Sequence, residues 1–163
     1  MTNNYTNPHA NQYRKGTHYP ESYNFGIQRE LANYPHLKLC FGADLVHHLN
    51  DPSAAFDFSN TKWNLEQKAR KYKSTDFDTL EISLNKCVLA DGKKTGFLMD
   101  MIDGIFFIKY NAKLFESFAI INKARDGIEG AEKDTIYIPT KLFKKIVSDH
   151  RPSENGCLIK MRK

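Results

Sequence analysis

Apolar and polar positions follow their clearest rule over Phe97–Tyr110, where two aromatic and β-branched runs join at Asp103-Gly104 and predict a hairpin. A second two-stranded unit is predicted over Ala55–Arg70, where two short apolar runs flank a polar turn. Helical spacing begins earlier. Asn24 is a candidate cap for a helix to Tyr34, with Ile27, Leu31 and Tyr34 on one side and Pro35 as its stop. Leu37–Phe41 alternates weakly and predicts a strand, and Ala43–Leu49 a short helix closed by Asn50-Asp51-Pro52-Ser53. Ser74-Thr75-Asp76 reads as a helix cap, followed by Leu80, Leu84, Cys87 and Val88 at helical spacing up to Asp91-Gly92. A turn and strand are predicted over Leu114–Ile121, a charged loop over Asp126–Asp134 and a strand over Ile136–Pro139. Thr140 then caps a predicted last helix, Lys141–Val147.

Residues 1–22 show no periodicity and are expected to form an arm, residues 23–150 one domain, and residues 151–163 a loose tail. At 163 residues, with 40% hydrophobic and 26% charged, the chain has the balance of a soluble globular protein with a real core. A formal net charge of +5 leans towards an anionic partner. Cys40, Cys87 and Cys157 are odd in number, widely spaced and without a C-x-x-C pair, so neither a zinc ribbon nor a disulfide framework is indicated and a reducing, cytoplasmic compartment is expected. The first residues lack the basic and apolar regions of a signal peptide, and no apolar run approaches membrane-spanning length.

The candidate chemistry lies in Ala55–Arg70. Asp57, Glu66 and Lys68 have the spacing D-x8-E-x-K, and the two-residue period of a strand puts Glu66 and Lys68 on one face with Leu65 on the other. Two carboxylates and an ammonium at one point suit a hard divalent cation and an attacking water. Taken singly, each residue is an ordinary surface charge; their joint occurrence in this order is the signal. A decoy, Asp78 followed by Asp91-Gly92-Lys93, is set aside because its second half reads as a turn.

The spacing resembles that of the PD-(D/E)xK nuclease superfamily, although Phe56 stands where that motif has proline. The surroundings also resemble compact restriction and homing endonucleases: Lys68-Ala69-Arg70, then Lys71-Tyr72-Lys73-Ser74-Thr75, then Asn85-Lys86. The resemblance implies an α/β (α+β), restriction-endonuclease-like fold with a mixed central sheet flanked by helices. It implies Mg²⁺ held by Asp57, Glu66, the Gln67 carbonyl and Glu30, with Lys68 at the attacking water. It further implies double-stranded DNA as substrate, contacted by Arg70, Lys71, Lys73, Ser74 and Lys86, and cleavage by a homo-oligomer of homing, phage or restriction type. Two other readings stand beside it: a metal centre on Asp44, His47, His48 and Asp51, and a non-catalytic nucleic-acid-binding or interaction protein using the basic surface.

Overall fold

The computed structural model describes residues 19–49, 51, 53–124 and 132–148. The order of elements is α1 (Tyr19–Phe41), β1 (Val46–His47), β2 (Phe58–Ser59), β3 (Trp63–Ala69), β4 (Thr79–Ser83), β5 (Lys94–Met101), β6 (Gly104–Lys109), α2 (Ala112–Phe115), β7 (Ile120–Ala124), β8 (Glu132–Pro139) and β9 (Lys144–Val147). Single 3₁₀ turns occupy Leu84–Lys86 and Thr140–Leu142.

Six strands form a sheet in the order β1-β2-β3-β5-β6-β9, and three form a second sheet, β4-β8-β7. The larger sheet is mixed. β3 and β5 run parallel from Trp63↔Lys94 to Ala69↔Asp100, and its other neighbours are antiparallel. A parallel pair needs a crossover, and here the crossover is made by β4, in the other sheet.

Alternation along the strands sorts the core into two clusters. Leu65, Leu98, Ile105 and Phe107 pack with Leu37, Cys40 and Phe41 of α1. Phe97, Met99, Phe106 and Ile108 face the opposite way and meet Leu80, Ile82, Ile136 and Ile138 of the second sheet. The protein is therefore mixed α and β with a mixed central sheet, as expected. Among the described residues, however, the long helix α1 lies on one face and only the single-turn α2 adds helix to the other, through Phe115. The second sheet covers that other face, which corrects the expectation of flanking helices.

The two expected paired units form as expected. The β5–β6 hairpin pairs Met101 with Gly104 around Ile102 and Asp103. Gly104 adopts φ +146°, and a side chain there would press on the Val147 carbonyl. Other expectations fail for identifiable reasons. α1 starts at Tyr19, inside the expected arm, and runs past Pro35 to Phe41. Pro35 costs the helix about 3 kcal/mol, yet continuing it brings Leu37, Cys40 and Phe41 to one buried side. The strand expected over Leu37–Phe41 is thus helix. The helix expected over Ala43–Leu49 is a turn and β1.

Leu80 and Leu84 fit a helix by spacing, but Leu80 and Ile82 fit a strand equally well. Pairing with β8, Leu80↔Ile138 and Ile82↔Ile136, settles the choice. Thr140 starts only a 3₁₀ turn, and its hydroxyl donates to Phe77 O at 2.7 Å; the expected last helix is replaced by β9 along β6. Residues 1–18, the tail 151–163 and residues 125–131 of the expected charged loop lie outside the described residues. Among the described residues no helix is long and apolar enough to cross a membrane.

Candidate active site

Asn60 fixes the turn between β2 and β3. Its Oδ1 accepts the Lys62 and Trp63 N–H groups at 2.9 and 2.8 Å, and its Nδ2 donates to Phe41 O at 3.1 Å. That turn sets the register Phe58↔Leu65. Continued by one step, the register sets Asp57 opposite Glu66 on the same face.

The ladder stops there and the strands fork. The Asp57 carbonyl accepts His48 N–H at 2.9 Å, drawing the chain towards β1. The Asp57 side chain takes over on the β3 side, where Oδ2 accepts Gln67 N–H at 2.8 Å. A strand residue's N–H and C=O point to the same neighbour, so the Gln67 carbonyl is directed to the side where Asp57 lies.

Glu66 is buried, and both its oxygens meet ammonium groups: Lys68 Nζ at 2.7 Å from Oε1 and Lys86 Nζ at 3.2 Å from Oε2. Oε2 accepts no well-formed hydrogen bond despite that proximity. Lys86 comes from the 3₁₀ turn after β4, donates to Ala55 O and lies 5.4 Å from the Phe56 ring centre. Glu30 reaches in from α1, with Oε2 2.7 Å from His47 Nε2. The His47 ring stacks on Phe58 at 4.8 Å.

The electrostatics follow from this crowding. Burial, then the charges of Glu66 and Glu30, push the Asp57 carboxyl well above its usual range, against Lys68 and the Gln67 N–H. Burial alone would lower Lys68, but Glu66 and Asp57 outweigh it and raise it. Lys68 is thus held as an ammonium, while burial and the neighbouring carboxylates tilt Asp57 towards its neutral form. Among the described residues, no three His, Cys, Asp or Glu side chains already stand as ligands around one point. The donor set still suits a hard cation: carboxylates that repel one another, a Glu66 oxygen without a well-formed hydrogen bond and a carbonyl on the same side.

Asp57, Glu66, Lys68 and Gln67 therefore meet at the fork, with Glu30 beside them. Lys86, expected on a DNA-contacting surface, stands against Glu66 instead. Arg70, Lys71 and Lys73 are exposed beyond the end of β3. Ser74 is engaged within the protein: its N–H and hydroxyl donate to Asp103 at 2.8 and 2.6 Å, holding that carboxyl below its usual range although burial opposes this.

The alternative centre on Asp44, His47, His48 and Asp51 disperses. Asp44 takes Asn60 and Thr61, His47 takes Glu30, His48 takes Ser59, and Asp51 takes Ser53. The decoy at Asp91-Gly92 is a left-handed turn, with φ +58° and +70°.

Beneath the fork runs a buried network that the pattern of residues did not reveal. Asn33 Nδ2 donates to Gln67 Oε1 at 3.1 Å, Arg29 Nη2 to Asn33 Oδ1 at 3.2 Å, and Arg29 Nε to Asp100 Oδ2 at 2.7 Å. The available signal was Arg29 and Asn33, spaced i,i+4 on α1. No known family matches this chain, and no curated protein matches it in sequence.

Proposed function

We propose that this chain is a Mg²⁺-dependent endonuclease of the PD-(D/E)xK type that hydrolyses phosphodiester bonds in double-stranded DNA. The observation that carries the reading is the fork: Asp57 opposite Glu66, Lys68 on the Glu66 carboxylate, and Gln67 N–H fixing Asp57. A restriction-endonuclease-like core is the fold that this reading implies for the mixed sheet.

Bound Mg²⁺ would neutralise charge building on the phosphate and acidify the attacking water. Asp57, Glu66, the Gln67 carbonyl and Glu30 are the groups that would hold it. Lys68 remains charged near neutrality, so it works as a donor and positive charge that holds the water and the scissile phosphate, not as a base. The water oxygen forms a bond to phosphorus as the P–O3′ bond breaks; the water gives up a proton to solvent, and the departing 3′ oxygen takes one from solvent. The products are a 5′-phosphate and a 3′-hydroxyl.

Arg70, Lys71 and Lys73, exposed just beyond the end of β3, supply phosphate contacts. Cutting both strands implies two such sites, hence a homo-oligomer, with a site-specific homing, phage or restriction role. The decisive experiment incubates the protein with plasmid DNA and Mg²⁺ or EDTA. Cleavage should require the metal and vanish in Asp57→Ala and Lys68→Ala, while both variants still retard DNA. If either variant cuts at the wild-type rate, the assignment is wrong; binding without any cleavage favours a non-catalytic DNA-binding protein.

A further inference from the structure

A cavity of about 240 Å³ lies between α1 and the ends of β3 and β5, on the sheet face opposite Glu66 and Lys68. We propose that it is a pocket for one nucleotide unit of the DNA strand, with the phosphate on Arg70 and Lys71 and the base against Phe25 and Ile102. Calling the occupant part of a DNA strand rests on the nuclease reading; affinity for a nucleotide does not.

Charge is the first argument. Arg29, Arg70 and Lys71 line the cavity against one carboxylate, Asp100. Arg29 already holds both Asp100 oxygens, at 2.7 and 3.4 Å, so the acid is spent. Among the described residues Arg29 Nη1 has no acceptor, while Arg70 and Lys71 are exposed at the rim. The surplus is positive and favours an anion.

The walls argue for more than a bare anion. Phe25 offers a ring with Lys71 Nζ 4.8 Å from its centre, and Ile102 is 60% exposed at the tip of the β5–β6 turn. A leucine or isoleucine so placed is a common wedge against DNA bases, and aromatic faces accept any base. The volume lies below the roughly 300–1,000 Å³ of ordinary ligand pockets and suits a single unit.

The pocket is also built in advance. Ile102 N–H donates to Tyr72 O at 2.9 Å, and Ser74 clamps Asp103 beside it. Arg70 and Lys71 directly follow the end of β3 at Ala69, so the held nucleotide lies past that strand end, on the sheet face opposite Glu66 and Lys68.

The test is an NMR titration of the full chain with thymidine 5′-monophosphate, beside thymidine and inorganic phosphate. The monophosphate should shift signals of Arg70, Lys71 and Ile102, and bind tighter than either part alone. Arg70→Gln with Lys71→Met should weaken it at least tenfold, and Asp57→Asn should leave it unchanged. Shifts centred on Asp57 and Glu66, equal binding of phosphate alone, or an unaffected double variant would each overturn the proposal. If the titration succeeds and the wild-type protein does not cut DNA, the pocket stands as a nucleotide site and the nuclease reading falls. Cleavage without pocket binding overturns this proposal alone.

Discussion

Gln67 donates its backbone N–H to Asp57 Oδ2 at 2.8 Å, so a side chain fills the ladder place where a partner strand's carbonyl would sit. The sheet opens at that point without leaving the amide unpaired, and the opening aims a carboxylate, a carbonyl and Glu66 at common ground.

Asp57 is raised because the fold favours its neutral form. The folded state then binds this proton more tightly than the unfolded chain, so this contribution to stability is full below the ordinary carboxylate value of 3.8 and is lost as pH rises through the folded value. Asp57→Asn should melt higher than wild type without metal at neutral pH, with a flatter dependence on pH. Mg²⁺ should raise the melting temperature of wild type and not of the variant. Calorimetry across pH, with and without Mg²⁺, checks both.

Lys68 is also raised, so its contribution too is lost as pH rises, but here the favoured proton-bound form is the charged one. Its charged form is favoured, so its stabilisation is complete at neutral pH and fades only as pH climbs beyond its ordinary 10.5. Cleavage by wild type should show no alkaline limb from Lys68 below that range. Lys68→Met should cost on the order of 10²–10³ in turnover, the scale of losing one stabilising donor, with DNA affinity changed only a few-fold. A pH–rate profile and a binding isotherm decide it.

Lys86 stands 3.2 Å from Glu66 Oε2, which leaves two roles to separate. If it moves to a phosphate when DNA binds, Lys86→Met should flatten the plot of log affinity against log salt by about 0.9. If it only neutralises Glu66, the slope stays and Mg²⁺ binding tightens instead. Measuring affinity at four salt concentrations distinguishes them.

Asp100 is 2% exposed and takes the Arg29 guanidinium. Asp100→Ala removes the buried half of a charge-assisted pair whose arginine still reaches solvent, and should cost about 1.5–3 kcal/mol. Urea unfolding at fixed pH measures it, and a loss under 1 kcal/mol would contradict the buried pairing.

The parts legible from residue pattern alone were those set by local rules. The polar turn between the two apolar runs and the period-two side chains at Glu66 and Lys68 place the fork, and Asp103-Gly104 places the hairpin to within one residue of its turn at Ile102-Asp103. What was not legible depends on distant partners. Leu80 and Ile82 suit helix or strand until Ile136 and Ile138 arrive. Pro35 marks a stop that the core under Leu37 and Phe41 overrides. Lys86 enters the site only because the 3₁₀ turn after β4 sets it beside Ala55, and no spacing in the chain encodes that.

The crossover through β4 also orders events as the chain leaves the ribosome. The hairpin bearing Asp57 and Glu66 closes through a short turn, among the fast units that form in about 1–10 μs. The seat of Lys86 waits for β4 to find β8, whose Ile136 and Ile138 are made long afterwards. A nascent chain emerging through β6 thus carries the acids and Lys86 but not the strand that seats this lysine. In the proposed enzyme, Glu66 gains its second ammonium only after β8 has been made.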